Sequence, residues 1–174
     1  MTESTNLAET EKKIFSLIKS IKFAMLTTTD TDGKCVLRSC PMINRQTDQF
    51  NNELWFFTKR NSPQTKEIEK SAQVNISYSD PSHSSYVSVS GTGELIDDKA
   101  KAKQIWSDEM KAWFPMGVDD PDLILLRVTL GSAEYWEGPN TKIGQLYGMA
   151  KGAITGERHS STATHGKLND VKHN

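Results

Sequence analysis

A cluster of basic and hydroxyl side chains near the middle of the chain has the composition of a phosphate site. Ser62-Pro63 is a helix-start signal, with Ser62 as N-cap and Pro63 in the first helical position. A helix N-terminus presents N–H groups and a positive dipole end, which suit an anion. The surrounding basic and hydroxyl residues are Arg38, Thr58, Lys59, Arg60, Ser62 and Lys66. These residues predict either a phosphate-binding cluster or a solvated basic turn with Arg38 paired to a carboxylate.

Trp136 is the second candidate, because it ends the last predicted strand in the run Glu134-Tyr135-Trp136-Glu137. An exposed tryptophan at a strand end can form the wall of a pocket for a planar ligand. It can also be a core or interface aromatic residue, and taken alone the sequence favours that second interpretation.

Other chemistries lack the residues that they need. Tyr147 and Lys151 have the spacing of a short-chain dehydrogenase pair, but the glycine-rich turn and the βαβ pattern are missing. The histidines lie in a loop and in a polar tail, so no metal site is expected. Cys35 and Cys40 are predicted to be free thiols on a strand without a neighbouring base, and no catalytic residue is assigned.

The chain has 174 residues with 21 basic and 22 acidic side chains, and its formal net charge is −1. This length suits one domain with a real core. The balance of charge points to neither nucleic acid nor an anionic membrane as a partner. The polar N-terminus and the strand-sized apolar runs predict no signal peptide and no transmembrane helix. Together with the free thiols, they indicate the cytoplasm.

The hydrophobic periodicity predicts mostly antiparallel strands, with helices at the ends and in two connections. Helices are predicted at residues 6–21, about 63–70, about 98–114 and about 141–154. Strands are predicted at residues 23–29, 35–43, 53–58, 74–78, 86–96 and 123–136. Six strands in sequential hairpins close as a barrel or a sandwich rather than as a parallel sheet. The predicted domain spans residues 1–158, and residues 159–174 are expected to form a flexible tail.

The order of several segments resembles that of the pyridoxamine 5'-phosphate oxidase-like FMN-binding split barrels. The segments that carry the likeness are Phe23–Thr29, Arg38 within Val36–Met42, Leu54–Thr58 with Ser62 and Lys66, Val87–Gly93, and Glu134-Tyr135-Trp136. Within that superfamily the chain is most similar to the general stress protein branch. The likeness extends over roughly residues 8–158.

The resemblance implies a mainly β (α+β) fold, namely a six-stranded antiparallel split β-barrel with flanking helices. It implies FMN as the cofactor, with FAD possible, and a homodimer with two flavin sites at its interface. The phosphate would be held by Arg38, Ser62 and Lys66, helped by Thr58. The isoalloxazine ring would be bordered by the backbone around Ser39, Met42 and Phe57, and flanked by Trp136 of the partner subunit.

One segment and two single residues differ from the true oxidase. The basic stretch that binds the phosphate of the oxidase's vitamin substrate is replaced here by Glu137–Ile143. Ile43 stands where the oxidase has a lysine, and Tyr86 replaces a glutamine. The resemblance therefore implies a flavin site without the substrate site of pyridoxamine phosphate oxidase.

The implied function is a stress-related, FMN-dependent oxidoreductase of unidentified substrate, with a small-molecule electron donor or acceptor. One alternative is a non-catalytic module for flavin storage or sensing. Another is a structural barrel whose pocket is empty or takes a different ligand, such as FAD, a deazaflavin or haem. No residue in the sequence separates the first two.

Overall fold

The computed structural model describes residues 2–30, 36–45, 51–138 and 164–168. Its helices are α1 (Thr2–Ser20), α2 (Pro63–Lys70) and α3 (Lys99–Ile105), and two 3-10 turns cover Asp108–Ala112 and Gly117–Asp119. Its strands are β1 (Phe23–Thr29), β2 (Leu37–Ile43), β3 (Glu53–Lys59), β4 (Gln73–Asp80), β5 (Ser85–Ile96), β6 (Leu123–Glu137) and β7 (Thr164–Leu168).

The described strands form one antiparallel sheet in the order β2-β1-β4-β5-β6-β3, with β7 also paired to β6. The long strand β6 pairs with β5 on one side. On its other side it pairs with β3 along Leu123–Thr129 and with β7 along Ala133–Glu137. All of these pairings are antiparallel, as the mainly β prediction required, but only β1–β2 and β4–β5 are hairpins.

The two ends of this sheet meet without pairing. β2 and β3 follow each other in sequence but stand at opposite ends of the strand order. The Arg45 backbone N–H donates to the Trp55 carbonyl oxygen at 3.2 Å, so the curled ends touch at one point. Along the rest of this seam each strand has a sheet partner on one side only, which leaves edge backbone groups available to a ligand. The architecture is that of a split barrel.

A β-bulge in β5 accompanies the curl of the sheet. The register between β5 and β6 shifts between Ser90 and Gly91. A Cβ atom at Gly91 would lie 2.3 Å from the Thr129 carbonyl oxygen, so only glycine fits here. Bulges bend a strand and increase its twist, which helps a sheet to close.

Two apolar clusters hold the elements together. The larger one lies between the sheet and α1, which buries Ile14, Leu17 and Ile18. The smaller one joins β3 and β6 to α3 and the first 3-10 turn, and includes Phe57 and Phe114. Burial of each large side chain contributes about 1.5–3 kcal/mol.

The predicted N-cap of α2 is confirmed, and Asp98 caps α3. The Ser62 hydroxyl accepts the Thr65 backbone N–H at 3.3 Å, and Asp98 accepts the N–H groups of Ala100 and Lys101. Helix α1 begins at Thr2, four residues earlier than predicted.

The single helix predicted over residues 98–114 is wrong. Helix α3 ends at Ile105, because the backbone of Trp106 is extended, with ψ at 145°. The Ser107 hydroxyl then donates to the Glu109 carboxylate at 3.1 Å. Such local side-chain bonds compete with continuation of a helix, and the chain resumes as a 3-10 turn at Asp108.

The predicted count of six strands is corrected to seven by β7, which lies within the stretch predicted to be a tail. β7 packs its Gly166 against the Tyr135 ring so closely that a Cβ would be 2.2 Å from the ring carbon Cε1. Pairing with β6 forms this strand, and its own sequence has little strand character. The boundary at residue 158 stays a prediction, and the helix predicted at about 141–154 lies outside the described residues, as does Cys35.

No helix in the described part of the chain is both long and apolar enough to cross a membrane. Within the same ranges, the His, Cys, Asp and Glu side chains form no group of three that could hold a metal ion.

Candidate functional site

A groove of about 400 Å³ lies in the open seam between β2 and β3. We call it the seam groove. Its polar lining is gathered where β3 leads into α2 and consists of Thr58, Lys59, Ser62 and Gln64. The remaining lining is apolar or weakly polar and consists of Phe23, Cys40, Pro41, Met42, Ile43, Phe57, Met110, Trp113 and Phe114. One end of the groove therefore suits a polar or charged group, and the other suits a flat apolar body.

The polar end is organised by the cap of α2. Ser62 accepts the Thr65 N–H, and the Thr65 hydroxyl donates to the Arg60 carbonyl at 2.9 Å. The Ser62 hydroxyl also lies 3.2 Å from the Thr65 hydroxyl. A serine hydroxyl carries one donor and two acceptor sites, so a ligand at this end would compete with Thr65 for the Ser62 O–H. The helix dipole adds a favourable field for an anion at this end.

Arg38 is paired to a carboxylate, as the second interpretation of the basic cluster described. Its Nε lies 3.4 Å from Oε1 of Glu67, which belongs to α2. The Arg38 side chain is 43% exposed, whereas that of Glu67 is 6% exposed. A guanidinium group has five N–H donors, so the contact at Nε does not exhaust Arg38.

Apart from Trp136, the predicted site residues fall into three groups. Met42, Phe57, Thr58 and Ser62 line the seam groove. Arg38 and the exposed Lys66 lie beside its polar end, on β2 and α2, but do not line it. Ser39 is exposed and its hydroxyl is hydrogen-bonded to that of Thr27 at 2.8 Å, so only its backbone is available to the groove.

Cys40 lines the groove without the properties of a nucleophile. Burial raises the pKa of its thiol, and the nearby Glu67 charge raises it further, against a hydrogen bond with Gln64 that lowers it. The neutral thiol is thus favoured near pH 7, whereas nucleophilic attack needs the thiolate.

Several lining residues were not found from the sequence. Met110, Trp113 and Phe114 had the apolar spacing of a helix face, which predicts a core position and gives no sign of a groove. Phe23 begins a strand, and its 61% exposure becomes visible only in the fold. Ser107 and Asp108 are residue types that favour a helix start or a turn. They could have shown that the helix ends before them and that Trp113 follows a turn.

A second groove of about 480 Å³ lies on the outer face of β1, β4 and β5. We call it the outer groove. It shares Phe23 and Pro41 with the seam groove, and Trp136 and Tyr86 form another part of its wall. Trp136 is 39% exposed and stacks on His165 of β7, with ring centroids 5.4 Å apart. Trp136 does not line the seam groove of its own chain.

The model of the pyridoxamine 5'-phosphate oxidase-like family matches residues 9–160, which is most of the chain. The chain belongs to this family. Protein bli-3 of Neurospora crassa is 29% identical over 164 residues, which cover 90% of this chain and 76% of that protein.

Solved structures extend this comparison to the general stress branch. The general stress FMN/FAD binding protein of Xanthomonas citri is 26% identical, with a TM-score of 0.64 over 78% of this chain and 92% of that chain. A protein of a Jannaschia species, assigned as general stress protein 26, has a TM-score of 0.73 over 94% of this chain and 99% of that chain. It is 24% identical and supports the fold. The family and the branch predicted from the motifs are confirmed.

The seam groove of this oxidase-like chain fits a planar ligand with an anionic end. Phe57 packs edge-on against Trp106 and tilted against Phe114, which fixes a rigid aromatic wall. The strand edges along the seam supply backbone donors and acceptors for polar atoms at the rim of such a ligand. The capped start of α2, with Arg38 and Lys66 beside it, fits a phosphate. The donor set therefore fits a flavin that carries a phosphate.

Proposed function

We propose that this chain binds FMN in the seam groove and transfers electrons through it, as a flavin-dependent oxidoreductase of unidentified substrate. The observation that carries the proposal is that the polar and the aromatic lining residues lie at different ends of the groove. Its polar residues gather at the start of α2, and its aromatic wall lies along the seam. In this arrangement Ser62, Thr58, Lys66 and Arg38 hold the phosphate.

The isoalloxazine ring lies against Phe57 and Met42, with the backbone of β2 and β3 at its polar edge. Both side chains are nearly fully buried, at 6% and 8% exposure, so the wall is rigid before the ligand arrives. FMN supplies the redox chemistry when bound, and the protein supplies position and electrostatics. Phe23 and Trp113 are 61% and 49% exposed at the rim, which leaves this end open to an electron donor or acceptor.

The proposal includes a homodimer with a flavin site at each end of the interface. Exposed apolar side chains surround the outer groove: Phe23, Met25, Tyr86 and Trp136. Contiguous exposed apolar patches of this kind are typical of association surfaces. Because Trp136 lies outside the seam groove of its own chain, its contact with the ring would be made across the interface.

Pyridoxamine phosphate oxidase activity is not part of the proposal. A second phosphate would need a second cationic site, and Ile43 contributes an apolar side chain to the seam groove. Glu137, at the start of the replaced basic stretch, pairs with Lys13 at 2.7 Å. The similarity to an FMN/FAD binding general stress protein supports a flavin as the ligand.

A non-catalytic flavin module is the second candidate. It is favoured by the lining of the seam groove, where the described titratable groups are only Lys59 and the neutral Cys40. Flavin reduction needs no protein acid, so reduction by NADH or NADPH with turnover distinguishes the enzyme from the module. Retention of flavin without turnover would favour storage or sensing.

The test is binding of FMN and riboflavin, measured by titration after an absorbance spectrum has shown whether flavin is retained on desalting. Lys66→Ala is expected to weaken FMN by about 10- to 150-fold, the value of one charge-assisted hydrogen bond. Riboflavin affinity should stay the same, because riboflavin has no phosphate. The matched control is Lys70→Ala, an exposed lysine one turn further along α2. A protein that retains no flavin, or a Lys66→Ala variant that loses both ligands equally, would overturn the proposal.

A further inference from the structure

A buried carboxylate lies behind the phosphate end of the seam groove. Glu67 of α2 is 4% exposed, whereas Glu69 two residues later is exposed. Burial of a carboxylate is costly unless it is paired and hydrogen-bonded. The contacts of Glu67 are therefore the reason that this charge is tolerated.

Both carboxylate oxygens of Glu67 have partners on the sheet. Its Oε2 accepts the Thr28 hydroxyl at 2.5 Å. Its Oε1 faces Nε of Arg38 at 3.4 Å. Thr28 and Arg38 are directly opposite each other in the β1–β2 register, so their side chains share one face of the sheet. One carboxylate thus ties α2 to two neighbouring strands.

The position of this contact on the Arg38 guanidinium group decides which of its N–H donors remain for a ligand. The planar guanidinium group presents Nε on one side and two terminal amino groups beyond it. With Nε 3.4 Å from the Glu67 carboxylate, the terminal amino groups of this 43% exposed side chain lie further along the guanidinium group and can reach another acceptor. An arginine held in this way loses less conformational freedom when it binds an anion.

We propose that Glu67 is a positioning residue, which fixes the Arg38 guanidinium group so that its terminal donors face the ligand phosphate. This inference rests on the proposed function, because it assumes that a phosphate binds beside α2. Thr28 has a supporting role, because its hydroxyl group orients the Glu67 carboxylate. Glu67 itself does not contact the ligand.

Two other roles for Glu67 give different results. As a purely structural link between α2 and the sheet, it would affect stability and leave the preference for phosphate unchanged. As a plain negative charge near an anion, its removal would tighten FMN binding. The ratio of FMN to riboflavin affinity separates all three roles.

The experiment measures the Kd of FMN and of riboflavin for Glu67→Gln, which keeps the side-chain shape and removes the charge. FMN affinity is expected to fall by about 2- to 10-fold, the range for one weakened hydrogen bond, with riboflavin unchanged. The matched control is Glu69→Gln, which removes the same charge from the exposed face of the same helix. Glu69→Gln should leave the affinities for both FMN and riboflavin unchanged.

The double variant with Arg38→Met completes the test. Once Arg38 is gone, Glu67→Gln should have no further effect on the FMN to riboflavin ratio, since a positioning residue acts through its partner. If Arg38→Met weakens FMN but Glu67→Gln leaves it unchanged or tighter, the inference is wrong and the proposed function stands. If Arg38→Met itself spares FMN, the role of Arg38 at the phosphate fails together with the inference.

A second variant keeps the test valid if Glu67→Gln does not fold. Thr28→Val removes only the hydroxyl donor and leaves the Arg38–Glu67 pair in place. It should lower FMN affinity in the same direction and by less. A folded Thr28→Val protein with an unchanged ratio of FMN to riboflavin affinity would count against the positioning role of Glu67.

Discussion

The seam groove and the outer groove share the wall made by Phe23 and Pro41, yet they are suited to different occupants. The seam groove has a lysine, two hydroxyl groups and a helix start at one end. The described residues that line the outer groove include no charged one, and their polar side chains are serines and tyrosines. The first groove therefore resembles a ligand site with a charged end, and the second resembles a surface that another protein covers.

The difference follows from where each groove lies in the sheet. The seam groove is bordered by strands that have a sheet partner on one side only, so backbone donors and acceptors remain for a small molecule. The outer groove lies on β1, β4 and β5, which pair with neighbours on both sides. On this face a partner protein would be contacted by side chains such as Tyr86 and Trp136. Tyrosine and tryptophan are residue types that anchor protein interfaces.

A charge in the outer groove gives the largest expected effect. Met25 is 40% exposed and lines this groove, and in a two-fold dimer each copy of Met25→Asp would place a carboxylate at the interface. An unpaired charge buried in an interface should weaken the dimer on the order of 100-fold or more. The measurement is sedimentation velocity over a range of protein concentrations.

Thr92→Asp is the control for this variant, because Thr92 is an exposed residue on β5 outside the outer groove. It should leave the sedimentation coefficient unchanged. A wild-type protein that is monomeric throughout, or a Met25→Asp protein that remains dimeric, would show that the outer groove is not the dimer surface.

The apolar wall of the seam groove gives an intermediate effect. Phe57→Leu removes the aromatic face that the ring would contact, and should weaken FMN and riboflavin equally, by about 2- to 10-fold. This equal loss contrasts with Lys66→Ala, which affects FMN alone. The swap should also lower the free energy of unfolding by about 1 kcal/mol, because Phe57 packs on Trp106 and Phe114.

Phe56→Leu is the matched control on the neighbouring position. Phe56 is fully buried in the larger apolar cluster, on the opposite face of β3, and does not line the groove. It should reduce stability and leave both ligand affinities unchanged. A selective loss of FMN in Phe57→Leu would contradict the assignment of this wall to the ring.

The same two grooves show what could be predicted from the sequence. Strands β1 and β2 and the Ser62 cap follow from alternation, turn residues and local hydrogen bonding, so the polar end of the seam groove could be predicted. The meeting of β2 and β3 depends on how the whole sheet curls, and no local pattern contains it. That is why Phe23 and Trp113 were not recognised as groove residues.

The missed features share this non-local origin. β7 exists because β6 offers a free edge beyond β3, and its five residues have weak strand propensity. Glu67 has the sequence context of a surface helix position, and its burial becomes evident only when α2 packs over Thr28 and Arg38. Trp136 could be singled out from the sequence, but its separation from the phosphate cluster within one chain could not.

Tryptophan fluorescence gives the smallest expected effect, because each substitution that it uses keeps an aromatic ring in the groove wall. Trp113 lines the seam groove and Trp136 lines the outer groove. If FMN binds in the seam groove of a dimer that brings Trp136 of the partner subunit onto the ring, both should contribute to quenching by energy transfer and contact. Trp113→Phe and Trp136→Phe should then each reduce the fractional quenching at saturating FMN, compared with wild type.

The outcome for Trp136→Phe decides how the grooves are related. Reduced quenching in the dimer, with no reduction in the monomer made by Met25→Asp, means that the two grooves join across the interface to form one site. Equal quenching with and without Trp136 means that the seam groove binds flavin alone. In that case the outer groove serves association only, and the stack of Trp136 on His165 is a structural contact between β6 and β7.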